Sequence, residues 1–443
     1  MKYNVLGEVS FLELIKNARN ILLNPLPFHR RNFAKHGDVF RVHLGGGKKV
    51  LFTRDPNMAR HMLQKQHRKY HKSSLQTKDL AKYIGEGLLT SNGEKWLQQR
   101  RLIQPAFHRK KLKILVDTMR DVIESSVMSF PKNKEIDVLP LMSDLAFEVV
   151  AKSLFGYEDP DTISRLQYIT EKAQHTLIKE VRQPYKKWWF YLTGVTQRTL
   201  RLTKDARKLL EKIIQDRRAS GEKKDDLLGM LLESRYDNGN AMSMDQLIDE
   251  ILILFVAGHE TTANALAFSL FLLAKDQKIQ QKVFEEVSKV DPKGAIFESL
   301  NELSYTRQCI EETMRLYPPA YFSDRVSIAD DTFEGMELPA GTQVLISFYE
   351  IHRNSQFWEQ AEIFNPDRFD PVAKKDFSNC YFPFGSGPRM CIGNNFAMYE
   401  MVIALSSIVR SYKITTNETS IEVTPLITLK PKNARLTFDQ RTN

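Results

Sequence analysis

The sequence predicts a mainly α protein with small β-sheets, and three observations predict it. From about Ser91 to Val290, apolar residues recur at three- and four-residue spacing, the period of a buried helix face. Short strand-like runs lie at 38–53, at 325–348 and near the C-terminus. No internal repeat, low-complexity tract or Ser/Gly linker divides the 443 residues. "GEKKDD", Gly221–Asp226, is the best loop candidate and too short to separate domains, so residues 1–443 are expected to form a single domain.

Taken in order, the N-terminal "MKYNVLGEVSFLELIKNARNILL" is amphipathic and carries Glu8, Glu13, Lys16 and Arg19. It lacks the apolar core and cleavage site of a signal peptide and is too polar to span a bilayer. "DVFRVHLGGGKKVLFT" alternates on either side of a Gly-rich turn, as a β-hairpin does. "DPNMARHMLQKQ" starts a helix with Pro56 in its first turn. His67 and His71, in basic surroundings, are read as a solvated helix face rather than a metal site. "SNGEKWLQQRRLIQP" opens on a capping box, Ser91 to Glu94. A second capping box, Ser243 to Gln246, opens a helix of ~50 Å at 1.5 Å per residue. Its run "ILILFVAG" is short and meets His259 and Glu260 at once, so it is a buried helix and not a membrane span. Strands return in "RVSIADDTFEGMELPAGTQVLISF" and "PLITLKPKNARLTF".

Composition bounds the function. Hydrophobic residues make up 42% and charged residues 27%, ordinary for a globular chain able to bury a large core around a pocket. Three scattered cysteines make no disulfide framework and suit a reducing compartment, so a cytoplasmic location is expected. The net charge of +10 comes without a long Lys/Arg block. It predicts a partner-docking face and no nucleic-acid partner. A monomer is the default.

Four motifs carry chemistry. In the long helix, Ala257, Gly258, His259, Glu260, Thr261 and Thr262 place a polar turn inside a greasy stretch, where a buried acid is costly. A zinc H-E-x-x-H site would need a second histidine where Ala263 stands. Glu312 and Arg315 share a helix face ended by Pro318 and Pro319, which alone reads as a surface ion pair of little worth. Arg368 sits in "NPDRFDP", which alone reads as a loop. Trp96 and Arg100, four residues apart, either grip a carboxylate or pack as a cation–π pair.

Cys391 is different. Gly385, Gly387 and Gly393 allow close backbone approach, Pro388 stiffens the turn, and Arg389 adds positive charge. A helical pattern begins just after it, and a helix N-terminus favours a thiolate. A zinc site would need more partners than Cys380, the only other cysteine near in sequence. One thiolate held rigidly in a loop suits the fifth ligand of a haem iron.

"FGSGPRMCIG" resembles the F-x-x-G-x-R-x-C-x-G ligand loop of the cytochrome P450 family. "AGHETT", "ETMR" as E-x-x-R, and "PDRF" match three further family marks in order. The resemblance runs from Trp96 past Cys391, to a soluble, bacterial-type member. It implies the P450 fold, with haem b (iron protoporphyrin IX) buried between the long central helix and the cysteine loop. It implies Cys391 as axial ligand, Thr261 with Glu260 for proton delivery, and Ala257 and Gly258 leaving room for oxygen. Trp96, Arg100, Arg325 and Arg389 match propionate-binding positions, and Phe384 packs beside the loop. Glu312, Arg315 and Arg368 become a buried triad, which displaces the surface reading. Leu254, Ala320, Tyr321, Phe322, Leu426 and Ile427 are expected to line the substrate pocket, along with the stretch Leu75–Leu89.

The implied reaction inserts one oxygen atom of O2 into a hydrophobic fatty acid, terpenoid, carotenoid or steroid. The resemblance also implies electrons from a separate ferredoxin or flavodoxin with its reductase, docked on a basic face that includes Lys95, Arg101, Lys110 and Lys111. The alternatives are a haem-thiolate peroxygenase or isomerase, and a non-catalytic haem sensor or electron-transfer protein. "QPYKKWWFYLTG" is read either as a greasy lip giving peripheral membrane contact or as aromatic packing under a loop.

Overall fold

Gly46 and Gly47 turn Val39–Gly45 back as Lys48–Thr53, the expected antiparallel hairpin. A computed structural model describes residues 3, 5–291, 294–373 and 377–441. The chain forms two compact units, each discontinuous in sequence. The first comprises Met1–Leu75, Glu312–Ile392 and Val423–Lys430; the second comprises Gln76–Glu311, Gly393–Glu422 and Pro431–Asn443.

The first unit is built on a six-stranded sheet. Its order is Gly7–Val9, Val39–Gly45, Lys48–Thr53, Gln343–Ile346, Ser323–Ser327, Tyr70–His71. Lys48–Thr53 runs parallel to Gln343–Ile346, and Ser323–Ser327 returns antiparallel beside it. Phe33, Phe40 and Phe52 pack on one part of this unit, and Met58, Leu63, Val344, Ile346, Trp358 and Phe382 on another. Asp55 caps the helix Pro56–Arg60, accepting the amide of Asn57 at 2.7 Å. The helix then loosens into a π turn, His61–Lys65, and a 3-10 turn, His67–Lys69. His71 already lies in a strand. The two histidines therefore share no helix face, and both are half-buried.

The second unit is helical, with a three-stranded sheet of Tyr412–Thr415, Arg435–Gln440 and Glu135–Asp137. Its axis is the 32-residue helix Met244–Lys275, which packs against Val138–Val149, Val195–Ser220 and Asn394–Ser411. This helix is long and apolar enough to cross a membrane, but most of its apolar window is buried inside the protein, so its apolar surface is used as core. Ser243 caps it, accepting the amide of Gln246 at 3.2 Å. Half of the expected capping box is thus present. The Gln246 side chain instead donates to Glu86 O (3.0 Å) and Glu250 Oε1 (2.9 Å). The other expected box fails: the helix begins at Gly93, Asn92 is its cap residue, and Ser91 is buried.

Candidate active site

The loop around Cys391 is closed by its own backbone. The Cys391 amide donates to Phe384 O at 2.9 Å, Met390 N to Gly387 O at 3.0 Å, and Gly385 N to Phe382 O at 3.1 Å. Gly387 has φ +72°, and a Cβ there would strike the carbonyl of Leu63, so any other residue would push the loop off its support. Gly393, by contrast, has φ −91° and ordinary space around it. Cys309 and Cys380 are buried, whereas Cys391 is exposed. Phe384 is half-buried.

Two cations stand in the same unit. Arg325 is buried and donates to Ser323 Oγ (2.8 Å) and to Asp324 O (2.7 Å), both neutral acceptors. Burial lowers its pKa, partly opposed by Asp324. Arg389 is pulled down to about 10, by burial first and then by repulsion from Arg325. Guanidiniums desolvated in this way favour a bound anion. The two carboxylates of a porphyrin fit this donor set.

The predicted triad is assembled. Glu312 and Arg315 are fully buried, which corrects the surface ion-pair reading of these two residues taken alone. Arg315 Nε and Nη2 hold Glu312 at 2.7 and 2.8 Å, and Arg368 Nε reaches it at 3.2 Å. Arg315 also donates to the carbonyls of His352, Ala361 and Ile363. Two proposed pocket segments, remote in sequence, also meet: Tyr321 Oη donates to Leu426 O at 2.8 Å. Tyr321 is buried, Phe322 and Leu426 are half-buried, and Ala320 and Ile427 are exposed.

In the second unit, Leu254 is buried in the long helix. Ala257 is exposed, and Gly258 and Thr261 are partly exposed, between stretches that are otherwise buried. Ala257 and Thr261 are one turn apart, and Thr261 Oγ1 donates to Ala257 O at 2.7 Å. Glu260 is buried and points about 100° around the helix from Thr261. A Cβ on Gly258 would meet Val150 Cγ2 at 3.2 Å, so its missing side chain serves helix packing. Trp96 is buried, and Arg100 Nε donates to Gln104 at 3.1 Å. The expected basic face is mixed. Lys95 pairs with Glu86, Arg101 with Asp237 and Lys111 with Asp225, while Lys110 is exposed.

A cytochrome P450 family profile matches residues 11–438. The chain belongs to the cytochrome P450 family. The echinocystic acid 23-monooxygenase of Saponaria officinalis is 33% identical, across 87% of this chain and 79% of that protein. The 11-oxo-beta-amyrin 30-oxidase of Glycyrrhiza uralensis is 31% identical, across 90% and 80%. The cyclooctat-9-en-7-ol 5-monooxygenase of Streptomyces melanosporofaciens is 30% identical, across 90% and 87%. As a P450, this chain is a haem-dependent monooxygenase for hydrophobic substrates that draws electrons from a redox partner.

Sequence reasoning missed one residue of this P450. His352 is fully buried, and its Nε2 accepts the amide of Phe382 at 2.8 Å, where the cysteine loop begins. Its own carbonyl accepts Arg315 at 2.8 Å. Burial, then Arg315 and Arg353, hold its pKa well below the ordinary histidine value, so the ring stays neutral and accepts. It links the triad to the loop through one residue, its carbonyl on Arg315 and its ring on Phe382.

Proposed function

We propose that Cys391 would hold the iron of haem b as a thiolate ligand. Its position is supported by the closed 384–391 backbone ring, its exposure and the family motif. Arg325 and Arg389 are proposed to bind the propionates, and Trp96 and Arg100 are proposed for the same carboxylates on the family pattern. The observation that carries the reading is the exposed Cys391 thiol in a loop closed by its own backbone, with buried Arg325 in the same unit. Bound haem would supply the dioxygen-activating chemistry by which one oxygen atom enters the substrate.

The chain's own residues would do the rest. Cys391 donates electron density through its sulfur, and Phe384 shields that sulfur from water. Glu312, Arg315 and Arg368 hold the fold beneath the loop. Thr261 keeps its proton on Ala257 O and leaves two lone pairs to order a proton donor. Glu260 is the acid that would resupply it, and Ala257 leaves the open side of the helix uncluttered. Gly258 is proposed mainly for packing. Leu254, Ala320, Tyr321, Phe322, Leu426 and Ile427 would exclude water and grip an apolar skeleton. Relatives whose names specify echinocystic acid, 11-oxo-beta-amyrin and cyclooctat-9-en-7-ol support a terpenoid as that skeleton.

The electron donor is proposed to be a ferredoxin or flavodoxin with its reductase, supported by the net charge of +10. Work in the cytoplasm is supported by three free cysteines. Peripheral bilayer contact is supported by Trp188 and Trp189, 62% and 51% exposed beside exposed Tyr185, Tyr191 and Leu192. The test is turnover of a terpenoid panel under isotope-labelled dioxygen, with NADPH, donor and reductase. Labelled hydroxylated product supports the reading. Product formed only with hydrogen peroxide overturns it.

A further inference from the structure

Residues 85–91 have no helix or strand of their own, and one turn of the long helix holds them. Asp249 Oδ2 accepts the amide of Glu86 at 2.8 Å, and Glu250 Oε2 accepts that of Leu88 at 2.9 Å. Gln246 Nε2 takes the carbonyl of Glu86 at 3.0 Å and also binds Glu250 Oε1 at 2.9 Å. Glycines make this approach possible: a Cβ on Gly87 would lie 2.6 Å from Glu250 Oε2, and one on Gly85 would overlap the Asp249 carboxylate. Within the segment, Thr90 Oγ1 bonds Gly87 N and Gly85 O. The segment before it is tied elsewhere, Lys82 to Glu180 at 3.2 Å. The 86–88 backbone is thus clamped by three side chains of a single turn, and Glu250 is fully buried at its centre.

We propose that Glu250, with Asp249, is a positioning residue that holds residues 85–90 on the long helix and so sets how readily hydrophobic molecules enter the pocket. This rests on the monooxygenase reading above, in which Leu75–Leu89 lines the substrate pocket.

Burial pushes the Glu250 carboxyl up to about 7, opposed by the Leu88 amide, Gln246 and Lys95 and assisted by Asp249. The other charged groups here are Glu86, paired with Lys95, and Arg207, paired with Asp245 and Asp249. None of these is a histidine. A carboxyl raised in the closed arrangement favours that arrangement fully below its ordinary value of 4.5. The preference is lost as pH rises through about 7. With those two values, opening becomes roughly twentyfold easier between about pH 5.5 and about pH 7.5.

The experiment is amide hydrogen exchange on the haem-loaded enzyme at those two pH values, corrected for the intrinsic chemistry of exchange. In the wild type, residues 85–90 should open about twentyfold more at the higher pH. In Glu250→Gln, which keeps the shape and an acceptor but cannot ionise, that rise should vanish. In parallel, the association rate of 4-phenylimidazole is taken as a wild-type to variant ratio, in which the probe's own titration cancels. The ratio should rise with pH alongside the exchange. An unchanged pH profile in the variant overturns the clamp. A flat ratio beside altered exchange overturns its role in admission. Failure of the monooxygenase reading itself would show separately, as an absent haem-thiolate spectrum with the exchange data still intact.

Discussion

Glu312→Gln removes one charge from a fully buried site. Glu312 accepts four hydrogen bonds: Arg315 Nε and Nη2, Arg368 Nε, and the Asn365 amide at 3.0 Å. The glutamine keeps one acceptor oxygen and in either orientation turns an NH2 toward the Arg315 guanidinium. At about 1.5–3 kcal/mol for each charged hydrogen bond, four would sum to roughly 6–12 kcal/mol. Such sums overshoot, because Arg368 lies near the surface of the triad, 8% exposed, and can turn toward water. Breaking one side of a buried pair costs about 3–5 kcal/mol, and that is the expected loss. Haem-containing proteins of this size need not unfold in two states, so exchange of the Asn365 amide is the direct assay. Its protection should fall on the order of a hundredfold or more. Glu312→Leu with Arg315→Met should not restore it, because Arg315 also serves three backbone carbonyls. Protection of Asn365 within threefold of wild type would refute the reasoning.

His352→Phe keeps a ring against Trp358 and Tyr381 but strands the Phe382 amide. A loss of about 1–3 kcal/mol is expected, read as faster exchange confined to the cysteine loop; an unaltered loop would show that His352 only packs. Thr261→Ala should leave the fold intact and divert electrons to hydrogen peroxide, measured as the ratio of peroxide to product. Unchanged coupling would remove Thr261 from proton delivery. Replacing Trp188 and Trp189 by Ala should abolish co-sedimentation with vesicles of anionic phospholipid, and retained binding would assign the aromatic helix Lys187–Leu192 another role.

What was legible in the sequence was chemistry held at short range. The cysteine loop writes its needs into adjacent glycines and an arginine, and the triad's core pair sits three residues apart on one helix. The long helix was visible because its apolar period extends over many turns on both sides of the polar turn. Contacts made across the fold were not legible. His352 is followed by Arg353 and Asn354 in a plain turn, and only the folded chain brings its ring to Phe382. Glu250 reads as one more acid on an amphipathic helix until Gly87 and Leu88 are laid over it. The strands Gly7–Val9 and Tyr70–His71 are too short to show alternation and exist because a sheet edge receives them. His67 and His71 were misplaced on a helix because nothing in their spacing announces the π turn before them. Ser91 lost its cap to a one-residue shift in where the helix begins, and Ser91 itself became core.

The central claim is a sulfur–iron bond at residue 391, and the carbon monoxide difference spectrum of the reduced protein tests it most directly. Wild type should show the strongly red-shifted carbon monoxide band typical of a thiolate-bound haem iron, and Cys391→His should lose that band while still binding haem. An identical red-shifted band in the variant, or none in haem-loaded wild type, would contradict the account.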